Sequence, residues 1–546
     1  MEESVKNNYK TLYWLYTQFG GSKHKWETLE HNGVMFPPEY EPHKIPIIYK
    51  GTEIILSPLA EEYATLYAKY LDTEYIKNKA FNKNFWKDWK KTLIGTGIDN
   101  LEECNFKKIN DFILSEKQKK LDMSKEEKEQ IKNKRKEEEK KFTIAIVNGK
   151  EQPVGNFRME PPGIFLGRGC HPKLGRIKRR IYPEDIIINI GKDAKVPNPI
   201  PGHKWERVIH DKNVEWLASW KDEITNKVKY MWLGAHSDMK GKSDMEKFDR
   251  SRRLKKKIKH IRDENIKNMS SDNIKDKQIA TALYFIDNFA LRVGNEKSED
   301  QADTVGVTSL RIEHIKLMDN KAILLDFLGK DSVRYKNKVT VSELVYNNIK
   351  EFTYNKEKFA PLFDKITPND LNKYLQSFMK DLTSKVFRTF NASYTFYKEL
   401  KKVNNKMDNY DGTDKINILL DMFNKANAKV AILCNHQKNV SKSFGAQLEK
   451  INKQIKDTKS KMNSKKTKPA RKKQLKDKIR KLKEKKKLRA ELKDISLGTS
   501  KTNYIDPRIT VSFMKRHNIP IDKLFNKSLQ DKFKWAIEGI DKDWKY

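Results

Sequence analysis

The segment 451–490 constrains the fold of this chain more strongly than any other, because it combines extreme charge with a regular apolar spacing. It holds 19 Lys and Arg residues against 3 Asp and Glu residues, a net charge of +16. Apolar residues recur at intervals of three, four and seven positions on both sides of Pro469: Leu448, Ile451, Ile455 and Met462 before it, and Leu475, Ile479 and Leu482 after it. This spacing predicts two helices joined by a turn, an antiparallel hairpin whose apolar seam is too narrow to form a core. The alternative is a disordered lysine tract, since such a charge density repels itself unless phosphates lie near.

The charge of the whole chain points to a polyanionic partner, towards which the segment 451–490 would reach as an arm. The 546 residues include 113 Lys and Arg and 74 Asp and Glu, a formal net charge of +39, and the isoelectric point is about 9.7. Phosphate backbones attract basic surfaces whatever the base sequence, so DNA or RNA is favoured over a small acidic substrate. A solvated basic surface in an organism with a lysine-rich proteome is the alternative interpretation.

Cysteine content and hydropathy indicate a reducing, intracellular setting. The three cysteines, Cys104, Cys170 and Cys434, are far apart and lack the spacing of a disulfide framework or a zinc site. The first ten residues are polar and charged, and no run of about 18 apolar residues occurs. The sequence therefore predicts a soluble protein without a signal peptide or a membrane span.

Composition divides the chain into several regions, as expected at this length. Residues 23–113 carry many aromatic residues and Pro/Gly turns, which predicts a mixed α/β unit. Residues 115–141 are highly charged and predict a helical connector. Residues 142–234 are rich in Pro, Gly and β-branched residues, typical of strands and loops, and from residue 240 onward helical patterns dominate.

Two amphipathic helices and a β-hairpin are predicted in the second half. One helical face carries Ile279, Leu283, Ile286 and Ala290 and is predicted to end near Gly294; another carries Leu371, Leu375, Phe378 and Leu382. Between them, the apolar run 322–328, the turn Gly-Lys-Asp-Ser at 329–332 and the segment 333–335 predict a hairpin. Lys330 would project from its tip.

One tyrosine lies in a compact polar cluster, Ser-Lys-Thr-Asn-Tyr-Ile-Asp-Pro-Arg at 500–508. Taken alone, Tyr504 is better explained as a half-buried packing residue with a hydrogen-bonded hydroxyl than as a nucleophile. The remaining candidate residues change that balance, because they supply the partners that a nucleophilic phenol needs.

Two arginines and a histidine lie where apolar helical patterns stop. Arg292 lies in Phe-Ala-Leu-Arg-Val-Gly-Asn-Glu at 289–296. Arg388 lies in Lys-Val-Phe-Arg-Thr-Phe-Asn-Ala-Ser at 385–393. His436 follows Ile432 by one helical turn, which predicts a place on the rim of a buried face. Singly, each arginine is better explained as a surface or salt-bridge residue, and the histidine as a satisfied group at a core edge. With Lys330 and Tyr504 they form a set suited to phosphodiester chemistry: two guanidiniums and an imidazole for the non-bridging oxygens, a lysine to supply a proton, and a tyrosine to attack.

These stretches resemble the eukaryotic type IB DNA topoisomerases. The resemblance extends to Glu-Pro-Pro-Gly-Ile-Phe at 160–165 with the following Arg168-Gly169, to Pro-Glu-Asp-Ile-Ile-Ile-Asn at 183–189 and to Lys-Val-Pro at 195–197. It runs from about residue 26 to residue 546, and the ordered set of motifs is highly specific.

The resemblance implies catalytic roles: Tyr504 as nucleophile, Lys330 as general acid, and Arg292, Arg388 and His436 as donors that stabilise the transition state. A free phenol has a pKa near about 10 and must lose its proton as it attacks. No carboxylate or second histidine in the cluster is an obvious base, so the base is left unassigned, with water as one option. A 3′-phosphotyrosyl ester would conserve the energy of the broken bond, so neither ATP nor a metal is expected.

The implied fold is multidomain α+β: a bilobed DNA clamp with a mixed α/β cap, a mostly helical catalytic core, an antiparallel helical-hairpin linker and a small helical C-terminal domain. The expected boundaries are 1–233 for the cap lobes, 234–440 for the core, 441–493 for the linker and 494–546 for the domain with the tyrosine. The implied partner is double-stranded DNA, bound by a monomer largely without sequence preference.

Further basic residues are expected to hold DNA through its phosphates: Arg168, Lys178, Arg179, Arg180, Arg252, Arg253 and Lys255. The family's inhibitor-contacting residues match at Arg168, Asp331 and Asn503, which implies contact with DNA near the cleaved phosphate and sensitivity to camptothecin-type drugs. Leu166 stands where a basic residue is expected and Cys170 where Asn is expected, so the fine contacts beside Arg168 depart from the pattern.

The expected location is the nucleus. The match begins near the first residue, without the long charged extension of cellular nuclear relatives, so import would depend on internal lysine runs; a viral enzyme that acts in the host cytoplasm is the alternative. Two other functions fit part of the sequence. A tyrosine recombinase uses much the same residues but assembles on specific sites, and an architectural DNA-binding protein explains the charge but not the catalytic set.

Overall fold

The computed structural model describes residues 24–295, 301–408, 410, 412, 414–438, 440–441, 443–464 and 468–546. Their contacts divide them into two compact units. Unit 1 comprises the described residues up to Asp244 together with 301–304, and unit 2 comprises Met245–Asn295 and the described residues from Val305 to Tyr546. No helix in these ranges is both long and apolar enough to cross a membrane. The combination of many helices with several small sheets confirms the predicted multidomain α+β fold.

Unit 1 combines helices with small sheets. Its helices are α1 (Pro58–Ala68), α2 (Lys79–Trp89), α3 (Lys107–Asp122) and α4 (Lys125–Lys140). Its strands are β1 (Leu29–His31), β2 (Ile47–Tyr49), β3 (Thr52–Ile54), β4 (Cys104–Asn105), β5 (Ile144–Val147), β6 (Lys150–Pro153), β7 (Gly163–Ile164), β8 (Ile177–Lys178), β9 (Ile186–Asn189), β10 (Arg207–Ile209), β11 (Trp216–Lys221) and β12 (Val228–Trp232). The sheets have the orders β1-β5-β6, β3-β2-β4, β7-β8 and β10-β9-β11-β12, and only the β9/β10 pair is parallel among these described strands.

Unit 1 has two apolar cores. Phe81, Phe85 and Trp89 are fully buried on one face of α2 and form the centre of the first core with α1. The second core is built from β1, β5, β9, β11 and β12, with Ile186 and Ile188 fully buried on β9. This arrangement agrees with the mixed α/β character predicted for 23–113 and with the strands predicted for 142–234.

The charged stretch 115–141 is helical, as predicted, and falls in α3 and α4. Ser124 separates the two helices and caps α4: its Oγ accepts a hydrogen bond from the Glu127 N–H at 3.0 Å, and the Glu127 carboxylate accepts one from the Ser124 N–H at 2.7 Å. This reciprocal capping satisfies two backbone donors that an uncapped helix would leave without partners.

His31 on β1 is a buried imidazole with both nitrogens engaged. Its Nδ1 accepts a hydrogen bond from the Gly33 N–H at 3.0 Å, and its Nε2 lies 3.0 Å from the carbonyl oxygen of Asn189, to which it donates. Burial lowers the pKa of His31 to about 4, although the Asn189 carbonyl acts in the opposite direction. A proton added at Nδ1 would face an N–H donor, so the folded protein keeps this histidine neutral.

Unit 2 is mainly helical. Its helices are α5 (Asp238–Met269, from Met245 onward), α6 (Ile274–Asn288), α7 (Glu343–Thr353), α8 (Pro368–Phe378), α9 (Ser384–Met407), α10 (Lys415–Leu433), α11 (Phe444–Asn463), α12 (Pro469–Glu491), α13 (Leu497–Asn503), α14 (Pro507–Arg516), α15 (Lys527–Lys532) and α16 (Lys534–Gly539). Its strands are β13 (Ile315–Met318), β14 (Ala322–Leu328) and β15 (Arg334–Thr340), which form an antiparallel sheet with β14 in the centre.

The predicted hairpin at 322–335 is confirmed and is longer than expected. Ile323, Leu325 and Phe327 are buried, whereas Leu324 and Asp326, which alternate with them, are only partly buried, so one face of β14 packs on the core. The register pairs Leu328 with Arg334 and continues to the ends of both strands. The short loop between the paired strands carries Lys330.

Two helix boundaries differ from the sequence prediction. The helix with Ile279 ends at Asn288 rather than near Gly294, because Ala290 has a φ of 48° and turns the chain away from the helical path. The helix with Leu371 ends at Phe378, so Leu382 is buried from a loop and not from the helical face on which its spacing had placed it.

The predicted helical hairpin is formed by α11 and α12. Ile451 on α11 and Leu475 and Ile479 on α12 are buried in its seam. The Arg489 Nη1 donates to Gln447 Oε1 at 3.4 Å, which joins the start of α11 to the end of α12 and shows that the two helices run antiparallel. With so few buried apolar residues, this hairpin is the narrow-seamed arm that the spacing predicted.

A buried ion cluster fixes the start of α14. Arg508 donates to Asp506 at 2.8 Å and to Asp249 on α5 at 2.7 Å, and its guanidinium lies 5.5 Å and 5.3 Å from the ring centroids of Trp535 and Trp544. Asp506 is fully buried. The cluster therefore ties the chain directly after Tyr504 to the long helix α5.

Candidate active site

The five predicted catalytic side chains come together in unit 2. A cavity of about 170 Å³ is lined by residues that include Arg292, Lys330, Arg388 and His436. The Tyr504 ring lies 5.0 Å from the His436 ring and 5.2 Å from the guanidinium carbon of Arg388, measured to ring centroids. Residues separated by more than two hundred positions in sequence thus share one site, and three of the five are arginine or lysine.

Arg388 is the buried centre of the site. It lies in the second turn of α9, and its Nη1 donates to the Ala290 carbonyl while its Nη2 donates to the Cys434 carbonyl at 3.0 Å. The Nε of Arg388 is buried and has no hydrogen-bond partner among the described residues. The guanidinium therefore joins three segments of the site and retains one buried donor for a ligand.

Arg292 is positioned through its backbone. The Val307 N–H donates to the Arg292 carbonyl at 2.9 Å, and the Thr308 N–H donates to the Val293 carbonyl at 2.7 Å. Gly294 has a φ of 91°, in the left-handed region that favours glycine. The side chain of Arg292 is exposed and lines the cavity.

His436 is placed differently from the sequence prediction. Helix α10 ends at Leu433 and Ile432 is 62% exposed, so His436 does not continue a buried helical face. His436 is nevertheless buried, because the chain turns back directly after the helix. The backbone N–H of His436 donates to the Ala431 carbonyl at 2.8 Å and holds this turn. Burial, and then the charges of Arg388 and Arg292, lower the pKa of His436 to about 4. The imidazole is therefore neutral at neutral pH.

Tyr504 directly follows α13 and is partly buried. Its N–H donates to the Ser500 carbonyl at 3.0 Å, and its carbonyl accepts a hydrogen bond from the Ser393 Oγ at 3.1 Å. Burial would raise the pKa of the Tyr504 phenol, but the charges of Arg388 and Arg292 and their hydrogen bonds to it outweigh burial and lower the pKa below its ordinary value. The same cations that would bind a phosphate thus favour the nucleophilic form of the tyrosine.

Lys330 reaches the site from the β14/β15 loop. It is exposed and lines the cavity beside Asp331, whose φ is 66°. The Nδ2 of Asn435 and the Nε2 of Gln437 donate to the Arg334 carbonyl at 3.4 Å and 3.2 Å. These bonds connect the loop end of the hairpin, where β15 begins, to the segment that carries His436. The long hairpin therefore presents its loop at a fixed place.

The other predicted DNA contacts of unit 2 lie around the site or on α5. Asn503 is exposed at the end of α13, next to Tyr504. On α5, Arg252 lies 3.7 Å from Asp249, Arg253 pairs with Asp381, and Lys255 donates to the Tyr546 carbonyl. The three side chains on α5 have partners within the protein, a feature that the sequence did not indicate.

The predicted DNA contacts of unit 1 also have partners. Lys178 donates to Glu160 at 3.2 Å, Arg179 bonds Asp185 at 2.7 Å and 2.8 Å and Glu223 at 2.7 Å, and Arg180 donates to Glu62 at 3.0 Å. Arg168 is exposed in the loop before β8, between Leu166 and Cys170. A phosphate that bound Arg179 would compete with two carboxylates.

Sequence reasoning assigned no role to Ser500, Ser393 and Cys434, which all contact residues of the predicted catalytic set. Ser500 belongs to the polar cluster 500–508. It lies four residues, or one helical turn, before Tyr504, and this spacing could have indicated a contact between the two residues. Cys434 is buried and reaches Arg388 through its carbonyl. In the described part of the chain, no group of three or more His, Cys, Asp or Glu side chains is arranged to hold a metal ion.

Comparison with known proteins identifies the family along most of the described chain. Residues 24–233 match the eukaryotic DNA topoisomerase I DNA-binding fragment, residues 236–469 match the eukaryotic DNA topoisomerase I catalytic core, and residues 476–546 match the C-terminal topoisomerase domain.

Individual relatives agree with this match. The chain is 44% identical to DNA topoisomerase 1 of Caenorhabditis elegans over 94% of its own length and 67% of the relative's. It is 43% identical to DNA topoisomerase 1 of Homo sapiens over 96% of its length and 72% of the relative's. It is also 43% identical to DNA topoisomerase 1 alpha of Arabidopsis thaliana over 95% of its length, and it spans 59% of that protein. The chain therefore belongs to the eukaryotic DNA topoisomerase I family.

Proposed function

We propose that this protein is a type IB DNA topoisomerase that relaxes positive and negative supercoils by cutting, rotating and resealing one strand. The observation that carries the proposal is the convergence of Arg292, Lys330, Arg388 and His436 on one cavity, with Tyr504 packed against two of them. Two nitrogens there, Arg388 Nε and His436 Nε2, are buried without partners among the described residues. An oxygen-rich anion such as a phosphodiester supplies the acceptors that the guanidinium N–H needs, and that the imidazole needs when its proton is on Nε2.

The reaction begins with attack of the Tyr504 Oη on the scissile phosphorus. The bond from phosphorus to the 5′ oxygen breaks, and Lys330 donates a proton to that oxygen, because an alkoxide is a poor leaving group. Arg292, Arg388 and His436 donate to the non-bridging oxygens as negative charge grows on them. Removal of one such donor slows catalysis by about a hundred- to a thousandfold in comparable sites.

The phenol proton of Tyr504 goes to water in this scheme. His436 is a weak base, because its pKa is about 4, and its proposed task is to donate to the phosphate. Arg388 and Arg292 already favour the phenolate, which reduces the need for a dedicated base.

The product is a 3′-phosphotyrosyl ester and a free 5′ hydroxyl. The ester is a phosphodiester like the bond that was broken, so the 5′ hydroxyl can attack it and release Tyr504 without an external energy source. We therefore propose that relaxation requires neither ATP nor a metal ion.

The decisive experiment compares wild-type protein with Tyr504→Phe on supercoiled plasmid without ATP and with EDTA. The wild type should relax the plasmid and leave covalent protein–DNA adducts after denaturation. The variant should bind duplex DNA with unchanged affinity but show neither activity. Tyr284→Phe is the matched control, because it removes a phenolic hydroxyl from a partly buried ring that packs on the core and is not among the residues that line the cavity.

Each result separates the proposal from its alternatives. A purely architectural DNA-binding protein would be indifferent to Tyr504→Phe. A tyrosine recombinase would need specific sites and an assembly of several copies, whereas we expect relaxation of any plasmid by dilute monomer. Full relaxation by Tyr504→Phe would refute the proposal.

We propose that the chain divides its tasks along the predicted boundaries. The cap lobes (1–233) would hold duplex DNA with the core (234–440), the linker (441–493) would contact the rotating DNA, and the last domain (494–546) would present Tyr504. The +16 charge of 451–490 and its narrow seam support the role of the linker, since it offers phosphates a basic surface but contributes little core.

Deletion of the hairpin tests this role. Because Gln447 and Arg489 bond to each other, a short Gly/Ser linker can join the two ends when 451–490 is removed. Each phosphate contact contributes about 0.9 to the slope of log affinity against log salt. We expect faster rotation and a shallower salt dependence; unchanged values of both would refute a braking role.

We also propose sensitivity to camptothecin-type drugs. Asp331 lines the cavity, Asn503 precedes Tyr504, and Arg168 is exposed in unit 1. A drug series should increase the amount of trapped covalent complex, and a series without any increase would refute the proposal. The departures at Leu166 and Cys170 would alter affinity and not the chemistry.

We propose a nuclear location and a monomeric state. Lys483, Lys485 and Lys487 on α12 are exposed and available to an import receptor. A fluorescent fusion that stays outside the nucleus, or a dimer found by light scattering at nanomolar concentration, would contradict these proposals.

A further inference from the structure

Ser500 is the partner of the catalytic imidazole. The Oγ of Ser500 and the Nδ1 of His436 lie 2.7 Å apart, and both side chains are buried. The other ring nitrogen, Nε2, is buried without a partner in the described residues, on a side chain that lines the cavity. One nitrogen of the ring is therefore engaged by the protein and the other is left for a ligand.

Ser500 also contacts the nucleophile's backbone. Its carbonyl accepts hydrogen bonds from the N–H groups of Tyr504 at 3.0 Å and Ile505 at 2.9 Å. In return, the His436 carbonyl accepts a hydrogen bond from the Ser496 N–H at 2.8 Å, one turn earlier on the same segment. A single residue thus touches the backbone that carries Tyr504 and the side chain of His436.

The direction of the Ser500 bond follows from the chemistry of a neutral imidazole. Such a ring carries one N–H, and its other nitrogen presents a lone pair. A proton on Nδ1 would leave the lone pair of Nε2 facing the oxygens of a bound phosphate, which repels them. If the Ser500 hydroxyl donates to Nδ1, the ring proton is on Nε2, where it can bond a non-bridging oxygen.

We infer that Ser500 is a positioning residue, which selects the donor tautomer of His436 and fixes its ring when the segment that carries Tyr504 is docked. This inference rests on the proposed topoisomerase function. It couples two events that the reaction needs together: arrival of the nucleophile and readiness of a phosphate donor. The burial and neighbouring arginines that keep the ring neutral are consistent with it, since a neutral ring has a tautomer to select.

The alternative is that Ser500 only stabilises the end of α13. The two roles differ in their dependence on His436. Ser500→Ala removes the hydroxyl but keeps the carbonyl that holds the Tyr504 backbone, so a loss of activity through Tyr504 is not expected. If Ser500 acts through His436, Ser500→Ala should cause no further loss of cleavage rate in a protein that lacks the His436 side chain. If its role is only structural, the rate losses of Ser500→Ala and His436→Ala should multiply in the double variant.

The experiment measures single-turnover cleavage at saturating DNA for wild type, Ser500→Ala, His436→Ala and the double variant. We expect Ser500→Ala to slow cleavage by about three- to tenfold, the factor of one net neutral hydrogen bond, with unchanged DNA affinity. In the His436→Ala background the same change should have less than about a twofold effect. Ser500→Thr, which keeps the hydroxyl, should restore most of the rate.

Ser512→Ala is the matched control, because among the described residues its Oγ bonds only the local Ile509 carbonyl on α14, at 3.3 Å. It should cleave like wild type. Wild-type cleavage by Ser500→Ala, or a full additional loss in the double variant, would overturn the inference while leaving the proposed function intact. A wild-type protein that forms no covalent adduct would overturn the proposed function, and this inference with it.

Discussion

Gly306→Ala tests whether close backbone packing positions Arg292. A Cβ added to Gly306 would lie 2.4 Å from the nitrogen and the Cα of Gly294 and 2.8 Å from the Arg292 carbonyl oxygen. All three are backbone atoms, so no side-chain rotation can relieve the clash. The Val307 N–H bond to the Arg292 carbonyl, at 2.9 Å, ties the same two segments together.

The expected magnitude follows from these distances. Carbon atoms pack at about 3.5–4.0 Å, so the segments must separate by about 1 Å. Overpacking of this kind costs about 1–3 kcal/mol of stability. A displacement of about 1 Å in a group that positions the reaction can slow it about a hundredfold.

The assay combines thermal unfolding with single-turnover cleavage at saturating DNA. Gly306→Ala should lower the Tm and slow cleavage by about a hundredfold, with little change in DNA affinity. Gly539→Ala is the control, because nothing lies within 4 Å of its added Cβ at the end of α16. If Gly306→Ala melts and cleaves like wild type, the packing argument for Arg292 is wrong.

Three further predictions follow from buried charges. Burial raises the pKa of the Tyr504 phenol and the neighbouring arginines lower it, so Arg388→Gln should move the midpoint of the pH profile of the cleavage rate to higher pH. The same change should slow cleavage by about a hundred- to a thousandfold. A midpoint at the wild-type pH would contradict this prediction. The pKa of His31 falls from 6.5 to about 4 on folding, so between these pH values only the unfolded chain binds the proton. The free energy of unfolding should therefore decrease by about 3 kcal/mol as pH falls through that window, and His31→Gln should flatten the decrease in urea titrations. Arg508→Met leaves Asp506 buried without its cation and should lower the free energy of unfolding by about 3–5 kcal/mol in the same assay. A decrease below about 1 kcal/mol would show that water solvates the Asp506 carboxylate in the variant.

Much of the fold is local enough to be predicted from the sequence. The seam residues of 451–490 have helical spacing, and α11 and α12 follow it. The alternation of apolar residues at 322–328 and the Gly-Lys-Asp-Ser turn likewise predict β14, β15 and the loop with Lys330. In these segments the pattern of one element decides which of its faces is buried, so neighbouring residues carry the information.

The candidate catalytic set could also be predicted from the sequence alone, because ordered motifs and residue chemistry name Tyr504, Lys330, Arg292, Arg388 and His436. The sequence could not place them. The expected helix to Gly294 stops at Asn288, because Ala290 takes a positive φ and turns the chain away from the helical path. His436 is buried by a chain reversal and not by a helical face.

Only the tertiary structure decided which polar groups are paired. It gives Arg179 two carboxylate partners and Arg508 a buried carboxylate. Among the described residues, the His436 ring has a serine hydroxyl on one nitrogen and no partner on the other. Hydrogen bonds and charges act over a few ångströms in space, whatever the distance along the chain. Residues with catalytic chemistry can therefore be found in the sequence. Their protonation, their orientation and the hydrogen-bond donors and acceptors that they keep for a ligand depend on packing between segments that are far apart in the sequence.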